Sequence, residues 1–176
     1  MNKLRAWLGI KTELLTEDAG LQQILDVLEE MDADQARYLA VFAYLLGRVA
    51  YADQHISLEE TKAMNTLVEK EGRLPSEQAT LVVEMAQKST RVFGSTADFM
   101  VAREFGLKAS YEEKLRLLHC LFAVSVADAD ISTVEEVEIH RISKVLRILP
   151  EDLLKLRLAH KQYLPGLKSS DDSRAK

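Results

Sequence analysis

The chain has 176 residues, 47% of them hydrophobic and 29% charged, with a formal net charge of −5. That length and balance suit one globular domain with a sizeable single core and exclude a disordered chain. The negative balance gives no electrostatic support to nucleic-acid binding, and the longest apolar run, Leu117 to Ala127, falls short of the ~18 to 20 residues that span a bilayer.

The N-terminus, M-N-K-L-R-A-W-L-G-I-K, has positive charges but neither a long apolar stretch nor a cleavage site. No signal peptide is read there, and a cytoplasmic location is expected. Residues 3–15 place Leu4, Trp7, Leu8, Ile10, Leu14 and Leu15 roughly on one side of a helix. Such a helix packs back on the domain or makes weak contact with a membrane surface or partner, and the first is the favoured expectation. Residues 20–31 form a second helix, with Leu21, Ile24, Leu25 and Leu28 on its apolar face.

Residues 34–52 are apolar on most sides, as a central buried helix is, and Asp53 ends it. Ser57 with Glu60 three positions on is a capping-box signature for the next helix, which runs to about Glu71 with Gly72 placed to stop it. Leu74-Pro75-Ser76 opens a third helix, roughly 76–90. A connection over 91–108 is expected to hold a short helix near Thr96 to Glu104.

The pattern then repeats. Tyr111 to Ala127 is again an apolar helix, Asp128 ends it, and Ser132 with Glu135 caps the next, which points Val137, Ile139, Ile142, Val145 and Leu146 inward. Leu149-Pro150 starts a last helix ending near Pro165-Gly166. Asp128 lies 75 residues after Asp53 (128 − 53), and the same offset carries Leu46 to Leu121, Val49 to Val124, Leu74-Pro75 to Leu149-Pro150 and Gln87 to Gln162. Both copies read A-D-x-x-I-S-x-x-E. Self-similarity of this kind predicts an all-α domain of about 7–9 helices over 1–165, built from two pseudo-symmetric three-helix halves at about 34–90 and 109–165, with a polar tail over 166–176 expected to be disordered.

The motif has two readings. In one it is architectural: Ser and Glu cap a helix, Ile plugs the core, and Asp accepts N–H groups of a tight loop. Yet an Asp at a helix C-terminus meets the negative end of the macrodipole, at a cost of about 0.3–1 kcal/mol. Twice in one chain, that invites a compensating cation or a strong cluster of N–H groups. In the second reading Asp53 and Glu60, and Asp128, Asp130 and Glu135, are oxygen ligands for a divalent cation, Ca²⁺ or Mg²⁺ rather than Zn²⁺. The second copy, D-A-D-I-S, starts like an EF-hand loop but lacks its sixth-position Gly and twelfth-position Glu, so an EF-hand is excluded. His55 stands where Asp130 stands in the second copy.

The paired motif, each copy after an apolar helix, resembles the TerB-like tellurite-resistance family, which includes the N-terminal domain of the DjlA co-chaperones. The resemblance covers about residues 20–165. It implies an all-helical fold in two related halves, a role in tellurite or metal stress, and metal binding at Asp53, Glu60, Asp128 and Glu135. Gln54 and Ala129 stand where the family pattern has Gly after the Asp. No J-domain is present, so a DjlA-like co-chaperone role is not expected for this chain.

Catalysis finds no foothold in the sequence. There is no Gly-rich phosphate loop, and His55, His119, His140 and His160 are scattered, with His119 and His140 read as hydrogen-bonded, partly buried helix residues. Cys120, the single cysteine, sits in L-L-H-C-L-F-A-V and reads as a small core residue in a reducing compartment. The expectation is a non-enzymatic module with a protein partner: either its acidic turns bind divalent cations, or it is a constitutive interaction domain whose turns are only helix caps.

Overall fold

The computed structural model describes residues 4–5, 18–50, 58–92, 103, 105–126 and 131–160. Among them there are helices and turns and no strand. The helices are α1 (Ala19–Glu30), α2 (Ala33–Ala50), α3 (Leu58–Gly72), α4 (Ser76–Val92), α5 (Tyr111–Ser125), α6 (Thr133–Val145) and α7 (Pro150–Ala159). Residues 105–108 are helical as well.

Local chemistry sets the helix ends. The Asp18 carboxylate accepts the Leu21 N–H at the start of α1, and the Asp32 carboxylate accepts the N–H groups of Asp34 and Gln35 at the start of α2. Pro75 and Pro150 stand where α4 and α7 begin and need no intrahelical N–H of their own. At the end of α3 the structure corrects the sequence reading. Gly72 is still helical, and the left-handed residue is Arg73 at φ 53. Gly72 lies instead against the core: a Cβ there would stand 3.1 Å from the Phe42 ring, which would have to give by a few tenths of an ångström.

The core is one cluster centred on α2 and α5, whose residues Leu39 to Leu46 and Leu117, Leu118, Leu121 and Phe122 are buried. Around them the halves interlock. α3 packs on α5, and α6 packs on α2, so the helix that follows the acidic turn in each half lies on the central helix of the other. Leu4 belongs to the same core, and Arg5 pairs with Asp26 and Glu29. At these two residues the N-terminal segment packs back on the domain; Trp7, Leu8, Ile10, Leu14 and Leu15 lie outside the described residues, as do most of 91–108 and all of 161–176.

The second half does not mirror the first throughout. α4 buries Ala79, Val82, Val83, Met85 and Ala86 between α2 and α1, whereas α7 buries no residue fully and touches α5 only lightly. The core positions Ala79 and Val83 become Leu154 and Leu158, which are 52% and 50% exposed. Nothing among the described residues covers α7 as α1 covers α4. The inward face expected for α6 also needs correction. Ile139, Ile142 and Leu146 are buried and Val145 is partly so, but Val137 is 46% exposed. Glu138, not Val137, faces the core side, because Arg48 of α2 meets it there.

Candidate functional site

The second acidic turn is described on both of its flanks. α5 closes at Val126, whose N–H reaches Phe122 O. Beyond the turn Ile131 is fully buried, which pins the chain to the core as the motif requires. Ser132 then takes an extended backbone, its Oγ accepts the Glu135 N–H at 3.2 Å, and Glu135 Oε2 accepts the Ser132 N–H at 2.8 Å. This is the reciprocal capping box that the S-x-x-E spacing predicts.

The same box recurs at Ser110–Glu113, where no A-D turn precedes it. Both the Ser110 N–H and hydroxyl donate to Glu113 Oε2, which holds the Glu113 carboxyl below the usual carboxylate range. The Ser and Glu of the second copy are therefore accounted for by helix capping. Its aspartates are not, and any ion chemistry rests first on them.

Asp53, Asp128 and Asp130 lie outside the described residues, as does His55. Glu60 falls in the first turn of α3, one helical turn beyond the expected cap, but its side chain is likewise outside what is described. Of the five proposed ligands, the structure places the carboxylate of Glu135 alone, and one of its oxygens is engaged in the cap. Among the described residues no group of three or more His, Cys, Asp or Glu side chains is disposed to hold a metal.

One neighbour of the turn is unusual. Ser125, three residues before Asp128, is 4% exposed, and its Oγ has no hydrogen-bond partner among the described residues. A buried hydroxyl left in that state costs about 1–3 kcal/mol. Ala50 holds the matching position in the first half, so the polar atom belongs to the second copy, the one richer in carboxylates.

Two polar clusters escaped the sequence reading. Arg48 Nε lies 2.6 Å from Glu138 Oε1, Arg48 Nη1 donates to the Tyr44 hydroxyl at 3.1 Å, and Arg141 stands 3.6 Å from the other Glu138 oxygen. Arg48 and Glu138 correspond, at the repeat offset, to Ala123 and Ala63. The departure from the repeat was a signal available in the sequence. The second cluster joins α3, α5 and the end of α7. His119 Nδ1 is 3.2 Å from Glu71 Oε2, and the His160 ring stacks on Phe122 with centroids 5.7 Å apart. Burial first, then the nearby His119, pulls the His160 pKa below the ordinary 6.5. His119 is thus partly buried as expected, whereas His140 is exposed. Cys120 is a core residue: burial pushes its thiol up to about 12, which leaves no thiolate for chemistry.

A family model described as tellurite resistance protein TerB matches residues 38–158, a span that holds both copies of the motif. No curated protein and no solved structure matches the chain.

Proposed function

The chain belongs to the TerB tellurite-resistance family, and from that premise we propose that it is a non-enzymatic module of metal or tellurite stress. In this reading its acidic turns bind a divalent cation and so adjust a surface that a protein partner meets. Asp128 and Asp130, with Glu135 through the oxygen not used in the cap, supply the ligands of the stronger site. Asp53 and Glu60 supply those of the weaker one. All-oxygen donors of this kind favour Ca²⁺ or Mg²⁺.

The observation that carries the reading is the orphaned Ser125 hydroxyl. It is buried at the end of α5, beside the carboxylate-rich turn, and the first half has no counterpart. A hydrated cation would supply the missing hydrogen bond through a coordinated water, and would also offset the Asp charge at the negative end of the α5 dipole. Among the described residues no helix is long and apolar enough to cross a membrane.

The test is calorimetric titration of chelator-stripped protein with Ca²⁺, Mg²⁺, Zn²⁺ and Mn²⁺, repeated on the Asp53→Asn/Asp128→Asn double variant. Saturable heat that vanishes in the variant supports the reading. An absence of heat with every ion refutes it.

The capping bonds favour a second reading. Ser132 and Glu135 cap α6 reciprocally, as Ser110 and Glu113 cap α5 without an acidic turn. In that case the domain is a constitutive interaction module like the DjlA N-terminal domain. Its Asp→Asn variants would then keep their partner binding unchanged.

A further inference from the structure

A cleft of about 810 Å³ opens at the N-terminal ends of α2 and α5, against the turn from α3 to α4. The acidic turns follow the other ends of the same two helices. The volume falls in the range of about 300–1,000 Å³ typical of small-molecule pockets. Its floor is aromatic: the Tyr38 and Phe105 rings lie 5.5 Å apart, Phe105 is 6% exposed, and burial pushes the Tyr38 hydroxyl up to about 12. Leu74 extends the apolar wall.

The rim is cationic. Arg116 and Arg73 both line the cleft, and the Arg116 charge partly opposes the effect of burial on the Tyr38 hydroxyl. One carboxylate already sits between the two guanidiniums: Glu112 Oε1 is 2.7 Å from Arg116 Nη1 and 3.9 Å from Arg73 Nη1. The Glu112 side chain is 71% exposed, so its hold on them is weak and yields to a better-placed anion. Of the carboxylates that line the cleft, Glu113 is engaged by Ser110, and Asp34 is 83% exposed and faces Arg37.

We propose that this cleft binds a small organic anion, with a flat apolar body on Tyr38 and Phe105 and an acidic head on Arg73 and Arg116, for which the exposed Glu112 carboxylate competes from outside the cleft lining. Guanidinium forks hold such heads bidentately, and the ring faces accept the body. The site is independent of the cation reading.

The probe is anilinonaphthalene sulfonate, an aromatic anion with a naphthalene body that fluoresces when it leaves water, titrated into the full chain at low salt. One saturable site is expected, from which naphthoate displaces the dye and uncharged naphthalenemethanol does not. Arg116→Gln and Arg73→Gln should each weaken binding about tenfold, the loss of one charge-assisted contact. Glu112→Gln should tighten it about threefold, because the internal competitor is gone. That gain does not depend on any variant being damaged. Equal binding by all three variants, as for dye resting on the exposed Leu154 and Leu158, overturns the proposal, and so does binding that does not saturate.

Discussion

Arg48 of α2 and Glu138 of α6 form an ion pair at 2.6 Å that joins the two halves of the protein. Glu138 is 8% exposed and Arg48 is held from its other side by Tyr44. Removing one member of a buried pair strands the other. Arg48→Met should therefore cost about 2 kcal/mol, since Arg141 at 3.6 Å replaces the lost contact only in part. The double variant Arg48→Met/Glu138→Leu should recover most of it. Urea unfolding of the three proteins decides: a single variant as stable as the wild type would mean that the pair does not join the halves.

His160 gives the stability a sign with pH. Its folded pKa lies below the ordinary 6.5 because burial disfavours the cation, with His119 adding to the effect and Glu71 opposing it. The unfolded chain then binds more protons than the folded one, so stability is fully present above about pH 6.5 and declines as pH falls below it. His160→Phe keeps the stack on Phe122 and removes the titration. Unfolding midpoints at pH 7.5 and 5.5 should differ less in this variant than in the wild type, and an unchanged difference would place the proton uptake elsewhere.

Asp18 works in the opposite range. Lys88 Nζ lies 2.8 and 2.9 Å from its two oxygens, and this contact, with the Leu21 N–H, lowers its pKa from 3.8. The stabilisation is present above pH 3.8 and is lost as pH falls through the lower folded value. Asp18→Asn retains a cap for α1 but loses the pair. Acid unfolding monitored by circular dichroism should shift less than 1 pH unit in this variant, a small effect because the pair is partly exposed; a collapse of the helix at neutral pH would contradict that assignment.

Gly106 lies close against the end of α6. A Cβ there would stand 3.0 Å from Val145 O, a backbone atom with little room to yield. Gly106→Ala should destabilise the protein by about 1–3 kcal/mol, as overpacking does. Equal thermal midpoints for the two proteins would show that the helices can part without cost.

Much of this was legible in the sequence, and the reason differs from element to element. The helices declared themselves because their ends are set by local chemistry: Ser132 and Glu135, or Leu149-Pro150, need only their own neighbours to act. Ile131 was readable because the repeat placed it twice. The fate of α7 was not, because Leu154 and Leu158 have the same apolar character as core residues, and only the lack of a covering helix among the described residues leaves them exposed. Val137 and Glu138 were exchanged for a similar reason: the partner that buries Glu138 is Arg48, far away in the chain. The cleft was invisible, since Tyr38, Leu74, Phe105 and Arg116 come together only in the fold. The acidic motif itself was found from the repeat, but a helix cap and an ion ligand use the same residue types, and spacing alone does not separate them.

Calcium titration of two single variants separates those roles most directly. Ser132→Ala removes the α6 cap, at about 1 kcal/mol of stability, and leaves every carboxylate in place. Asp128→Asn removes the charge and leaves the cap. With cation binding at the turn, Ser132→Ala protein still binds Ca²⁺ and Asp128→Asn protein does not. Equal heats from both variants and the wild type, or none from any with either Ca²⁺ or Mg²⁺, would contradict a cation site and leave the acidic turns as helix caps.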